Sequence, residues 1–266
     1  MATARSVPLR RDVLGCGIDC VTLEGAVAHV EHAISAGTPL QHVAINAAKV
    51  VRLQRDATLR RAVETCALST ADGTAVVWAS RLLGHPLPER VAGIDLMEGV
   101  LDLARRRGFR VYLLGARPHV VAAAAETIRA RHPGVEIAGW HHGYFTPDEE
   151  HAIVEEIDAA KPEILLVALE TPAKELFLER ARKRMSIPFA MGVGGAFDIL
   201  AGERQRAPRW MQSAGLEWLY RLRQEPRRMA RRYVVGNSQF IWLVVRAAGS
   251  RLAQQRSARL DPNALK

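Results

Sequence analysis

Residues 66–78 read CALSTADGTAVVW. A short apolar run ends in Asp72-Gly73, and a helical spacing of apolar residues begins at once. Strand, polar turn and helix in that order form the repeating unit of a parallel sheet, because a parallel neighbour is reached only through a crossover. The same alternation extends in both directions. A strand pattern at 42–46 leads into a helical stretch through Arg61, and the run at 66–69 leads into a helix over 73–83. The run at 110–114 closes on Gly115 before an alanine-rich helix over 120–131, and further strand patterns stand at 135–138, 164–168 and 188–192. Strands alternating with helices of this length predict an α/β fold, a mainly parallel sheet with helices on both faces.

Composition agrees with a folded chain. Of 266 residues, 48% are hydrophobic, enough to bury a core. No stretch of about 18 uninterrupted apolar residues occurs, which excludes a spanning helix on length. Arginines near the N-terminus are followed by no apolar segment, so no secretion signal is expected. Cys16, Cys20 and Cys66 form no Cys-x-x-Cys pair, and they read as reduced thiols of a cytoplasmic protein. His141-His142 stands alone near a turn, too few ligands for a metal site, and no metal is expected.

The net charge of +9 is unevenly placed. Residues 203–266 hold 14 Lys and Arg against 4 Asp and Glu, whereas residues 1–202 hold 23 against 24. That break predicts two parts: an α/β core over 1–202 and a basic appendage over 203–266. The appendage shows helical spacing without strand patterns, and Trp210, Trp218, Tyr220, Tyr233, Phe240 and Trp242 lie among its arginines. Such a block asks for a polyanion. Aromatic rings beside arginines suit an anionic membrane interface, and equally a lid packed on the core.

In a parallel sheet the carboxyl ends of the strands share one edge, and ligands bind there. The polar residues ending the predicted strands are Asn46, Asp72, Gly115, the turn Glu170-Thr171-Pro172, and Gly192-Val193-Gly194-Gly195. The turns at Gly115 and at Gly194 and Gly195 let backbone N–H groups approach a phosphate or a nucleobase. Neither is a dinucleotide fingerprint or a P-loop. Arg90 precedes Gly93 and Asp95 and is able to grip a diphosphate bidentately. Asp-Gly after a strand is an ordinary turn signal, so the residues alone favour a turn role for Asp72 over a catalytic one.

Seven pieces in order resemble the WecG/TagA/CpsF glycosyltransferases, glycosyltransferase family 26. They are Asn46; Ala71-Asp72-Gly73; Arg90 through Leu96 (RVAGIDL); His142 through Phe145 (HGYF); Gly192 through Asp198 (GVGGAFD); Arg206 through Trp210 (RAPRW); and Gly215 through Leu222 (GLEWLYRL). The resemblance implies a Rossmann-like core with a C-terminal helical appendage that attaches to membrane and completes the site. It implies an inverting, metal-independent enzyme without a cofactor, moving sugar from a UDP donor to a polyprenyl-diphosphate-linked saccharide on the inner face of the plasma membrane. Asp72 then becomes the base that takes the acceptor hydroxyl proton, and Asn46 orients hydroxyls. Arg90, Arg221 and Arg228 offset charge on the departing UDP, and Asp198 lies near the uridine. Two departures bear on the sugar. Ala44 stands where the family has Thr, and Lys174, beside Thr171, replaces a glutamine, so the donor is left between N-acetylmannosamine, a uronic acid and glucose types. The competing expectations are a nucleic-acid-binding protein using the arginine-rich tail and a nucleotide-sugar-binding homologue without turnover.

Overall fold

A computed structural model describes residues 8–226 and 236–251. A hairpin of β1 (Arg10–Val13) and β2 (Cys16–Asp19) opens the chain, followed by α1 (Leu23–Ser35). Next come β3 (Leu40–Ile45), α2 (Ala47–Leu53), α3 (Ala57–Glu64), β4 (Leu68–Ala71), α4 (Thr74–Leu82) and α5 (Gly93–Arg107). The second half runs β5 (Arg110–Gly115), α6 (Pro118–Arg131), β6 (Glu136–His141), α7 (Glu150–Ala159), β7 (Ile164–Ala168), α8 (Ala173–Ala181), β8 (Phe189–Gly192) and α9 (Ala196–Leu200). Then follow α10 (Arg209–Ser213), α11 (Glu217–Gln224) and a helical segment at 236–251.

Six strands form one sheet in the order β4-β3-β8-β7-β5-β6, every neighbour parallel, as the strand–turn–helix alternation requires. All six strand patterns of the sequence are present. The strand predicted at 66–69 lies two residues later, ending at Ala71, so Asp72 follows it directly. The helix expected to run to Arg61 is broken in two, because Asp56 caps a new helix by accepting from the Leu59 N–H at 2.9 Å. The β1–β2 hairpin left no periodic signal of its own. It is fixed by Asp19, which takes Arg10 at 2.8 Å and the Ser69 N–H of β4 at 2.7 Å.

Alternate residues of the central strands enter different cores. Val111 and Leu113 of β5, with Ile164 and Leu166 of β7, pack under α1, α5, α6 and α9. Tyr112 and Leu114, with Leu165 and Val167, pack under α7 and α8. Val43 and Ile45 of β3 join α2, α3, α4 and the hairpin, and Phe240 and Val244 of the 236–251 helix enter this same cluster. Burial pushes the Cys16 thiol up to about 11 and the Cys66 thiol up to about 12, which leaves both unreactive near neutrality. Gly115 ends β5 at φ 121°, and any Cβ there would come within 2.6 Å of the Ala168 backbone, so β5 and β7 close together only around glycine.

His42 on β3 is fully enclosed. Its Nε2 lies 2.9 Å from the Thr70 hydroxyl, which donates to the Val91 carbonyl at 3.2 Å, so the ring is neutral and Nε2 carries the proton. Burial and then Lys49 push His42 down from 6.5 to about 3. The unfolded imidazole takes a proton below its ordinary value while the folded one does not, so stability is full above that value and is lost as pH falls toward 3. Replacing His42 with Gln is expected to flatten the stability profile between pH 6.5 and about 4 in thermal melts, where wild type declines. An unchanged slope would remove His42 as its source.

Candidate active site

The strand ends collect on one edge, and the register Ile45↔Ala71 makes Asn46 and Asp72 the next pair beyond the sheet. Asp72 donates its N–H to the Ile45 carbonyl at 2.9 Å and so continues the β4–β3 ladder by one bond. Its Oδ1 accepts the N–H of Gly93, first residue of α5, at 3.0 Å. The carboxylate therefore caps a helix that starts twenty-one residues on, where the helix dipole favours negative charge. Among the described residues Oδ2 has no hydrogen-bond partner, and the residue is half-buried. The turn role and a free carboxylate oxygen coexist in one side chain.

Asn46 caps α2, its Oδ1 accepting from the Lys49 N–H at 3.0 Å, and among the described residues its NH2 group has no hydrogen-bond partner. Lys49 points inward from the same first turn. Its ammonium lies 2.8 Å from Glu175 Oε1, and the two side chains are 6% and 3% exposed. Glu175 also accepts from the Thr171 hydroxyl at 3.2 Å and lies 3.5 Å from the Lys174 ammonium, which donates to Thr171 Oγ1 at 2.7 Å. Arg52 of α2 adds a bond to the Thr171 carbonyl at 3.0 Å. The turn after β7 is thus stapled to the helix after β3. Burial, then Lys49, hold Lys174 below the usual lysine value, although Glu175 and Asp72 oppose this. Burial alone would raise Glu175, but Lys49 and Lys174 outweigh it and hold the carboxyl below its ordinary range. The Lys174 stem lies over Gly192, where an added Cβ would meet it at 2.7 Å.

On the other side, Gly115, Thr171 and the Gly194-Gly195 turn end β5, β7 and β8, three adjacent strands. Gly194 takes φ 54°, and Asp198 on α9 pairs with Arg204 at 3.3 Å. Arg90 lies at the β4 edge. Its guanidinium meets Glu217 of α11 at 3.0 Å and Asp95 of α5 at 3.5 Å. Glu217 holds Arg221 at 2.8 Å with its other oxygen, so one carboxylate brings a cation of the appendage to a cation of the core. Burial would raise Glu217, yet Arg221 and Arg90 hold it below the ordinary glutamate value. Arg228 lies outside the described residues.

Asn46 is therefore linked through Lys49 and Glu175 to Thr171 and Lys174, Asp72 follows the neighbouring strand, and Arg90 and Arg221 are paired through Glu217. Sequence reasoning missed Lys49, Glu175 and Glu217. Each had a weak signal: Lys49 is one helical turn after Asn46, Glu175 adjoins Lys174, and Glu217 stands four before Arg221.

The family model described as "Glycosyl transferase WecG/TagA/CpsF family" matches residues 11–254. A protein of Bacillus spizizenii named N-acetylglucosaminyldiphosphoundecaprenol N-acetyl-beta-D-mannosaminyltransferase is 39% identical over 160 residues, covering 60% of this chain and 62% of that relative. The match therefore spans less than two thirds of the relative's length.

Proposed function

The chain belongs to the WecG/TagA/CpsF glycosyltransferase family, and on that footing we propose that it transfers a sugar from a UDP donor to a saccharide carried on a polyprenyl diphosphate. One observation carries the reading: a half-buried carboxylate fixed by one oxygen, with its second oxygen unpaired at the strand ends. In a single inverting displacement, Asp72 takes the acceptor hydroxyl proton while that oxygen bonds to the anomeric carbon. The bond from that carbon to UDP breaks, and the electron pair leaves with the diphosphate. Arg90 and Arg221 offset the charge that develops there, and no metal or cofactor is required. The glycine turns of β5 and β8, with Asp198, hold the nucleotide.

Lys174 faces the donor sugar. Its ammonium has three N–H groups, of which the Thr171 hydroxyl takes one at 2.7 Å and Glu175 lies at 3.5 Å. A panel of UDP-N-acetylmannosamine, UDP-glucose and UDP-glucuronate with a short-chain lipid-diphosphate acceptor tests both claims. One donor is expected to turn over, and Lys174→Gln is expected to lower kcat/KM for it by about tenfold, the value of one charge-assisted hydrogen bond. No turnover with any UDP-sugar would remove the activity. Unchanged donor preference in the variant would remove Lys174 from recognition.

The membrane reading rests on two adjoining helices. Phe240 and Val244 bury beside Val76, Val77 and Leu83, while Trp78 and Leu82 of α4 and Ile241, Trp242 and Val245 are more than half exposed. Residues 73–85 and 236–251 contain no carboxylate, only Arg81, Arg246 and Arg251. An apolar ridge edged by arginines suits an anionic bilayer surface. Among the described residues no helix is long and apolar enough to cross a membrane. The full chain is expected to float with phosphatidylglycerol vesicles, and Trp78→Ala with Trp242→Ala to reduce that several-fold. A chain that shifts duplex DNA and ignores the vesicles would favour the nucleic-acid reading.

A further inference from the structure

The two edges of the sheet are finished differently. At β4 the hairpin answers outward backbone groups: Asp19 takes the Ser69 N–H at 2.7 Å, and Arg10 donates to the Cys66 and Ala67 carbonyls at 3.2 and 3.1 Å. At β6, among the described residues, the backbone of 136–141 bonds only to β5. Such an edge is a template for another strand unless charge, proline or a covering element blunts it. Residues 136–141 (EIAGWH) hold no lysine or proline, and their one carboxylate, Glu136, is held by Arg110 at 2.7 Å. Trp140 on this strand is 41% exposed. We propose that β6 pairs antiparallel with β6 of a second copy of this chain, joining two six-stranded sheets into one.

The strand's own sequence selects that occupant. β6 carries one extra residue against β5, since Val111 faces Ile137 and Tyr112 faces Gly139, with Ala138 between. The bulge leaves Ile137 and Trp140 on the face of Val111 and Leu113, and Glu136 and His141 on the face of Arg110 and Leu114. A two-fold axis at Gly139 then sets Gly139 against its copy, Ile137 against Trp140 of the second copy, and Glu136 against its His141. Each pair shares one face; apolar meets apolar, and a carboxylate meets an imidazole. A slip of one residue would set opposite faces together.

Symmetry gives a second support. Antiparallel pairing runs the two-fold axis through the sheet, so each face continues as the same face of the second copy. Gln41, and with it Val43 and Ile45, shares the face of Leu165 through Ala190. α4 and the 236–251 helix cluster with Val43 and Ile45, so in both copies they lie on the same side of the joined sheet. One bilayer then meets both apolar ridges, and two linked contacts hold more tightly than one. β6 and β4 are opposite edges, so Asn46 and Asp72 stay clear of the contact.

Sedimentation equilibrium of the full chain tests this. The expected result is a reversible dimer of twice 29.3 kDa, formed below about 0.1 mM. Trp140→Lys puts a charge on the edge and removes the Ile137–Trp140 pair twice by symmetry, so it is expected to weaken the dimer about tenfold. A second experiment reads the register without relying on that variant. Chains with Ile137→Cys and chains with Trp140→Cys, tagged apart, should cross-link on oxidation when mixed and not when kept separate. Trp78→Ala with Trp242→Ala should leave the dimer intact. The proposal is overturned by a chain that stays monomeric at that concentration, or by a Trp140→Lys chain that melts and dimerises like wild type. A mixture that does not cross-link, or a dimer lost with the ridge tryptophans, overturns it equally.

Discussion

Asp72→Asn is expected to remove sugar transfer almost wholly, by about 10²- to 10⁴-fold in kcat, the usual contribution of a positioned general base. Asparagine retains a carbonyl oxygen, so the bond accepted from the Gly93 N–H at 3.0 Å survives and α5 keeps its cap. What disappears is the basicity of the second oxygen. UDP affinity and melting temperature should therefore stay near wild type. Asp72→Ala separates the two roles. It loses the base and the cap together, so the same kinetic loss should come with a destabilisation of about 1 kcal/mol. If Asp72→Asn turned over at the wild-type rate while Asp72→Ala merely lost stability, Asp72 would be a structural turn residue and the base would have to be sought elsewhere.

That pair of variants asks what the residues 66–78 left open. The strand–turn–helix unit was legible because periodicities of 2 and 3.6 differ sharply over short runs, and the sheet with its six parallel strands followed. The ends were less legible. The strand at 68–71 lies later than its hydrophobicity suggested because Thr70 is buried by its bonds to His42 and the Val91 carbonyl, a tertiary effect no local pattern carries. The break between α2 and α3 needed recognition of Asp56 as a cap. Strand-end logic placed Asn46, Asp72 and the glycine turns at the carboxyl edge of the sheet, where they lie. It did not find the carboxylates that pair the cations, since Glu175 and Glu217 meet Lys49 and Arg90 across 126 and 127 residues of chain. Pairs that distant are written only in the fold. Arg90, read in the sequence as able to grip a diphosphate, is shared between Glu217 and Asp95 in the structure, so any anion binding it would compete with two carboxylates.

The largest stability effect is expected at Lys49. Lys49→Met keeps the length of the stem and removes the ammonium that lies 2.8 Å from a carboxylate only 3% exposed. Among the described residues Glu175 Oε2 already lacks a hydrogen-bond partner, so the variant leaves a buried charge answered by Lys174 at 3.5 Å and the Thr171 hydroxyl. Breaking one side of a buried pair costs about 3–5 kcal/mol, a fall in Tm on the order of 10 °C for a chain of this size. The pH dependence supplies the sign. In wild type Glu175 sits below its ordinary value, so its contribution is full above that value and is lost as pH falls through the folded one. Burial is the largest single influence on Glu175 and favours the protonated acid; without Lys49 it is no longer outweighed, so acidification relieves the variant. The gap in Tm should therefore narrow between pH 7 and pH 5. Lys49→Met combined with Glu175→Gln should recover much of the loss, because no unpaired charge remains. A gap that stays constant with pH would mean that packing of the lysine stem, not its charge, supports the site. In either case α2 is capped by Asn46 and stapled through Lys49 to the turn bearing Thr171 and Lys174. The stability of this buried pair and the placement of Thr171 and Lys174 are thus one property of the fold.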